Sequence, residues 1–274
     1  MIMVTTQELM QMALGLVEMQ DIPGDSAIYH PGENIRKVLF GIDISTAELA
    51  MAKQLGFDAV IAHHPPQTSA IPAWQVYLRH IDFLVQAGVP REAAEAAVKP
   101  RAEAMAAAYQ SANHEHYSSI ARLLDMPFLN IHCPLDELGR RIMQKTVDDC
   151  LAVNSQATLG DVVEALNALP EFAEAHTQIQ IAMGEAEAPA GRVVVAHGAL
   201  TNGGYAVANA YFTHGIPTVL YIHIPYSDLQ RLRAEKKGQL IVTGHISSDL
   251  VGINPFVQKM RAAGLEVTTI SGIR

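Results

Sequence analysis

Two adjacent imidazoles carry the sharpest chemical signal in this chain. His63 and His64 follow the apolar run Phe57-Asp-Ala-Val-Ile-Ala62 and precede Pro65 and Pro66. Side chains alternate along a strand, so two neighbouring histidines leaving one cannot both be packing residues. A turn enforced by the prolines can swing both toward one site; the alternative is one core histidine and one exposed one. His245-x-x-x-Asp249 is the second signal. If a helix begins near Gly244, the pair shares a face one turn apart and suits chelation. Otherwise Asp249 is a carboxylate stabilised by the helix dipole and His245 a solvated turn residue.

His132-x-x-x-Asp136 has the same spacing, but Pro134 lies between, so a turn rather than a helix is expected to place the pair. Asp136 would bridge ions or serve as a first-turn acid of the helix that follows. Cys133 reads as an inert thiol beside a buried strand. Asp43 either caps a helix or holds a ligating imidazole in place. His197 and His223 either reach the site as acid/base groups or are satisfied core histidines, the reading favoured here, and His114 and His116 read as surface ones. The loop Ala199-Leu-Thr-Asn-Gly-Gly204 could cradle a phosphate at a helix start, yet it matches neither G-x-x-x-x-G-K-[ST] nor G-x-G-x-x-G.

Taken together, His63, His64, Asp136, His245 and Asp249 offer three imidazoles and two carboxylates, more than one tetrahedral site uses. They suit two ions about 3.5–4 Å apart. A mixed nitrogen and oxygen set fits zinc, iron, manganese or nickel better than magnesium or calcium.

The elements that must position these residues alternate. Lys37-Val-Leu-Phe-Gly-Ile-Asp43 reads as a strand, and Ser45 with Glu48 as a capping box opening a helix that Gly56 closes. Residues 57–62 form the next strand, completing a βαβ unit with a right-handed crossover. Residues 74–125 read as mostly helical, punctuated by Pro90 and Pro100. Phe128 to Cys133 is a short strand, and Thr158 with Asp161 starts a further helix. Glu185 to Gly191 reads as a linker or exposed hairpin. Strands follow at 192–196, 217–224, 239–243 and 265–270, with Ser227 and Gln230 opening a helix among them. In open parallel sheets ligands bind beyond the carboxyl ends of strands, where the five candidates fall.

With 274 residues, 49% hydrophobic and 17% charged, the chain is globular α/β rather than disordered. Nineteen basic and 28 acidic residues give a net charge of −9, and the basic residues are scattered, which argues against phosphate-backbone binding to nucleic acid. Two cysteines make no disulfide framework, so a reducing, cytoplasmic setting is expected. Thr5 and Glu8 form a capping box before an amphipathic helix, unlike a signal peptide, and no apolar run is long enough for a membrane span.

From about residue 35 onward the chain resembles the NGG-interacting-factor-three (Nif-three-like) family, often labelled type 2 GTP cyclohydrolase I. The resemblance rests on the strand ending at Asp43 and its helix, on Ala62-His-His-Pro65, on H-x-x-L-D at 132–136 and on G-H-x-x-x-D at 244–249. It implies a dinuclear metal site in which His63, His64, Asp136, His245 and Asp249 are ligands and His132 is a polar group beside the metals. It also implies a two-lobed α/β subunit with mostly parallel sheets, and a homo-oligomer, often a toroidal hexamer. Three positions depart from the family pattern. Asp249 stands where Glu is usual, HCPLD replaces HTNLD, and AHGALTNGG replaces a G-x-G-G turn.

The expected division is a first α/β lobe over residues 1–140 carrying His63, His64 and Asp136. A helical segment and linker over 141–190 follows, then a second α/β part over 191–274 carrying His245 and Asp249. The expected function is a metal-dependent hydrolase acting on a nucleotide-like or other small molecule through a metal-activated water, with His132 shuttling a proton. The competing expectation is a non-enzymatic metal-binding, regulatory or metal-insertion protein.

Overall fold

The computed structural model describes residues 3–66 and 72–274. The first half of the chain forms α1 (Thr6–Leu14), β1 (Ala27–His30), β2 (Lys37–Gly41), α2 (Thr46–Gln54) and β3 (Ala59–Ala62). Four helices follow before the next strand: α3 (Ala73–Tyr77), α4 (Arg79–Gln86), α5 (Arg91–Tyr109) and α6 (His116–Leu123). Then come β4 (Phe128–Asn130), α7 (Cys133–Val153), α8 (Leu159–Asn167), α9 (Pro170–Ala173) and β5 (Gln180–Met183). The last third holds β6 (Val193–Val195), α10 (Gly204–Thr213), β7 (Thr218–Tyr221) and α11 (Tyr226–Glu235). It closes with β8 (Gln239–Val242), α12 (His245–Ala262) and β9 (Glu266–Thr269).

Local chemistry explains most of these boundaries. Thr5, Ser45 and Thr158 each cap a helix, with Glu8, Glu48 and Asp161 returning the reciprocal bond to the cap's backbone N–H. Ser227 does not act in this way. Helix α11 starts at Tyr226 behind Pro225, whose ring fixes the backbone at the helix entrance without any side-chain cap bond. Pro100 does not break the Ala-rich run either, because α5 continues through it.

The chain divides into two compact units. The first comprises Met1–Val76, Glu103–Asp136 and Ile253–Arg274, the second Tyr77–Ala102 and Glu137–Gly252. This differs from the contiguous segments 1–140, 141–190 and 191–274, and the reason lies in pairing. β9 joins the first sheet in parallel beside β2, with Lys37 opposite Glu266 and Phe40 opposite Thr269. The 141–190 stretch is no separate connector, since α8, α9 and β5 are built into the second unit.

The first unit holds a five-stranded sheet in the order β1-β4-β3-β2-β9, parallel except for β1. Leu39, Val60, Ala62 and Phe128 pack on one side of it with Leu49 and Ala52 of α2 and Ala121 of α6. The second unit holds a four-stranded sheet in the order β5-β8-β7-β6, parallel except for β5. Its core gathers Met143, Val147, Val162, Leu166, Leu220 and Ile241. Burying such side chains contributes about 1.5–3 kcal/mol each. Also in this unit, Arg79, Arg140 and Arg141 all donate to the buried Glu137 carboxylate at 2.8–2.9 Å, which compensates its lost hydration. Among the described residues, no helix is long and apolar enough to cross a membrane.

Candidate metal centre

In the first unit the strands β3 and β4 run parallel and deliver their following residues to the same edge. The His63 and His64 N–H groups donate to the Gly41 and Ile42 carbonyls at 2.9 Å, so the chain stays in line with β2 just past Ala62. His63 is fully buried, while the His64 side chain keeps 21% of its exposure. The two rings nevertheless lie 5.2 Å apart, and the His132 ring is 4.9 Å from His63 and 5.9 Å from His64. One nitrogen of each of the three imidazoles lies within 4.8 Å of the others.

Asp136 joins them through a helix, not through a turn. Helix α7 begins at Cys133, which puts Pro134 in its first turn, where the missing N–H costs nothing. The Asp136 N–H bonds the His132 carbonyl at 3.1 Å, so the pair has true i, i+4 geometry. The Asp136 carboxylate is buried, with Oδ1 3.2 Å from His63 Nε2 and Oδ2 3.5 Å from His132 Nε2.

The proton positions follow from the partners. His63 Nδ1 lies 3.0 Å from the Ile131 carbonyl oxygen, which can only accept, so Nδ1 carries a proton. His132 Nδ1 is 2.7 Å from Oδ2 of Asp25, a fully buried carboxylate, and His64 Nδ1 is 2.8 Å from Oδ1 of Asp43. Each imidazole is thus oriented through Nδ1 by an oxygen, the arrangement that metal-ligating histidines use. Nε2 of His63 is then the ring nitrogen left to face the Asp136 carboxylate. This donor set could hold a metal ion.

In the second unit, Gly244 turns the chain from β8 into α12 with φ of 98°, where a Cβ would also lie 2.5 Å from the Thr177 hydroxyl oxygen. His245 becomes the first residue of α12 and Asp249 lies one turn on, as the spacing predicts. His245 Nε2 is 3.4 Å from Asp249 Oδ2; the carboxylate is buried, while the imidazole keeps 42% of its exposure. His197 and His223, which read as core residues from sequence, belong to the same neighbourhood. His197 Nε2 is 4.0 Å from Asp249 Oδ1, and the His223 ring stacks 4.8 Å from that of His245. Burial, with His245 beside it, lowers the His223 pKa to about 4.

In the Gly-rich loop before α10, one backbone donor already has a partner within the chain. Asn202 Oδ1 accepts from the Gly204 N–H at 2.9 Å, filling that position from within the chain, and the Asn202 amide then donates to His223 Nδ1 at 3.0 Å. Cys133 is buried, as expected for an inert thiol. Asp25 was not legible as a partner of His132, because it lies 107 positions from that imidazole.

No family model matches this chain, and no curated protein does. Among solved structures, it superposes on a NIF3 superfamily protein from Sphaerobacter thermophilus with a TM-score of 0.96 at 50% identity, covering 98% of each chain. HcgD from Methanocaldococcus jannaschii gives a TM-score of 0.60 at 12% identity, covering 98% of this chain and 99% of that one. Protein ybgI gives 0.56 at 16% identity, covering 97% and 98%. The last two likenesses concern the fold alone. With half of its residues identical to the Sphaerobacter protein over nearly the full length, the chain belongs to the NIF3 superfamily.

Proposed function

We propose that this protein is a metal-dependent hydrolase of small molecules. The observation that carries this reading is the buried imidazole cluster with each Nδ1 held by an oxygen and a carboxylate facing the Nε2 atoms of His63 and His132. The proposed ligands of two divalent ions are His63, His64 and Asp136 in the first unit and His245 and Asp249 in the second. Zinc, iron, manganese and nickel are the fitting candidates for such donors. When bound, such ions supply Lewis acidity and bring the pKa of water toward neutrality.

The chain's own residues orient and move protons around that chemistry. Asp25 stabilises a proton on His132 Nδ1, which raises the basicity of Nε2 and suits His132 to take and return a proton. The Ile131 carbonyl fixes the His63 ring, and Asp43 fixes His64. A nucleotide-like substrate, a homo-oligomer such as a toroidal hexamer, and a cytoplasmic setting are proposals that follow from the family resemblance and composition.

The test is a screen of phosphoesters, nucleotides and cyclic amides with metal-replete protein. Turnover that disappears in His132→Gln while metal stays bound supports the hydrolase. No turnover, together with transfer of its ions to an apo acceptor, would replace it with the metal-insertion reading.

A further inference from the structure

A cleft of about 350 Å³ opens in the first unit beyond the carboxyl ends of β2 and β3. That volume lies at the low end of small-molecule sites and admits one or two fused rings. Its apolar lining comes from Ile44, Pro65, Pro66 and Tyr117 of α6. Its polar lining includes Asp43, Ser45 and Glu48 from the turn into α2 and its first turn. His64 belongs to both the cleft and the imidazole cluster, so a molecule seated here has one edge at that cluster.

The charge of the cleft is one-sided. Its charged lining groups are two carboxylates, and no lysine or arginine lines it among the described residues. The Ser45 hydroxyl and backbone N–H both donate to Glu48, and the hydroxyl holds its pKa below the usual carboxylate range, so Glu48 is anionic at neutral pH. Asp43 Oδ1 is turned to His64, and its side chain is 77% exposed. Carboxylates accept and do not donate, so they pair with N–H groups and repel phosphates. An aromatic ring and two prolines in the same lining favour a planar ring, whose face can stack on Tyr117.

We propose that this cleft is the substrate pocket of the hydrolase and that it takes a planar, cationic or amino-bearing ring, its N–H edge on Glu48 and its face on Tyr117. The proposal rests on the metal-site reading for the word substrate, but the selectivity of the cleft does not need a metal.

The experiment titrates the full-length protein with three isosteres, benzamidine, benzamide and benzoate, followed by ligand-observed NMR. It is done on wild type, Glu48→Gln, Tyr117→Ala and the ligand variant Asp136→Ala, with metal content measured on each. Gln preserves the capping box, so Glu48→Gln removes the charge and keeps the helix start. The expected order is benzamidine tightest and benzoate weakest. Benzamidine affinity should fall roughly tenfold in Glu48→Gln and in Tyr117→Ala, and stay within about twofold of wild type in Asp136→Ala. Benzoate binding as tightly as benzamidine in Asp136→Ala, benzamidine indifferent to Glu48→Gln, or no benzamidine binding at millimolar concentration would each overturn the proposal. Failure of the metal reading shows separately, as wild-type protein without metal whose cleft still discriminates.

Discussion

His63 and His80 are both fully buried, and each has one ring nitrogen bonded to a backbone carbonyl, Ile131 at 3.0 Å and Thr201 at 2.9 Å. They differ in what the other nitrogen meets. His63 Nε2 faces the Asp136 carboxylate at 3.2 Å, beside two further imidazoles. His80 Nδ1 has no hydrogen-bond partner among the described residues, and its ring packs edge-on against Tyr77 and Phe83. Burial holds the His80 pKa down to about 4, so it stays neutral and serves packing. The same residue type at the same burial faces a buried carboxylate in one place and aromatic rings in the other. Burial alone therefore does not separate the two histidines; the charge facing the second nitrogen does.

The strongest way to break this contrast is to remove that charge. Asp136→Ala should lower metal affinity on the order of a hundredfold or more, measured by competition with a chromophoric chelator, because it removes a proposed ligand and the bridge between His63 and His132. Unchanged affinity would put His63 in the same class as His80.

Acid should act on the other member of the pair. The folded pKa of His80 lies below the 6.5 of an ordinary histidine, so below pH 6.5 the unfolded chain binds more protons than the folded one. The His80 contribution is intact above that pH and lost as pH falls to about 4, a change of about 3 kcal/mol. His80→Gln should flatten the fall in stability between pH 6.5 and 4 by that amount in urea titrations. Equal slopes in both proteins would contradict it.

Orientation is the next level. Asp25→Asn keeps an acceptor for His132 Nδ1 but removes the charge, and should weaken metal binding about tenfold to a hundredfold. Asp43→Asn should have the smallest effect, less than about tenfold, since this carboxylate is exposed and screened by solvent. If the exposed Asp43 mattered more than the buried Asp25, ranking by burial would be wrong.

Much of the fold was legible because it is local. The Ser45–Glu48 and Thr158–Asp161 boxes, the βαβ pattern through β2 and β3, and the i, i+4 pair His245 and Asp249 are all written within a few residues of one another. What escaped depends on partners far away in sequence. β1 and β5 are four-residue strands defined by antiparallel pairing with β4 and β8, and neither is buried enough to form an apolar run. The interleaving of the two units follows from β9 pairing with β2, a choice no local pattern encodes. Pro134 misled because proline ends a helix in its interior yet is tolerated in its first turn. In the candidate site, the closeness of the imidazoles at 63, 64 and 132 to Asp136 was legible in the sequence, whereas the Asp25 partner of His132 and the approach of His197 and His223 to the His245–Asp249 pair were not.

The most direct test of the central claim is metal per chain by elemental mass spectrometry on wild type and His245→Ala, purified without chelators or an affinity tag. The account predicts close to two ions per chain in wild type and fewer in the variant. A wild-type value near zero even after reconstitution with zinc, iron, manganese or nickel would contradict it and leave the imidazole cluster a packing feature like His80.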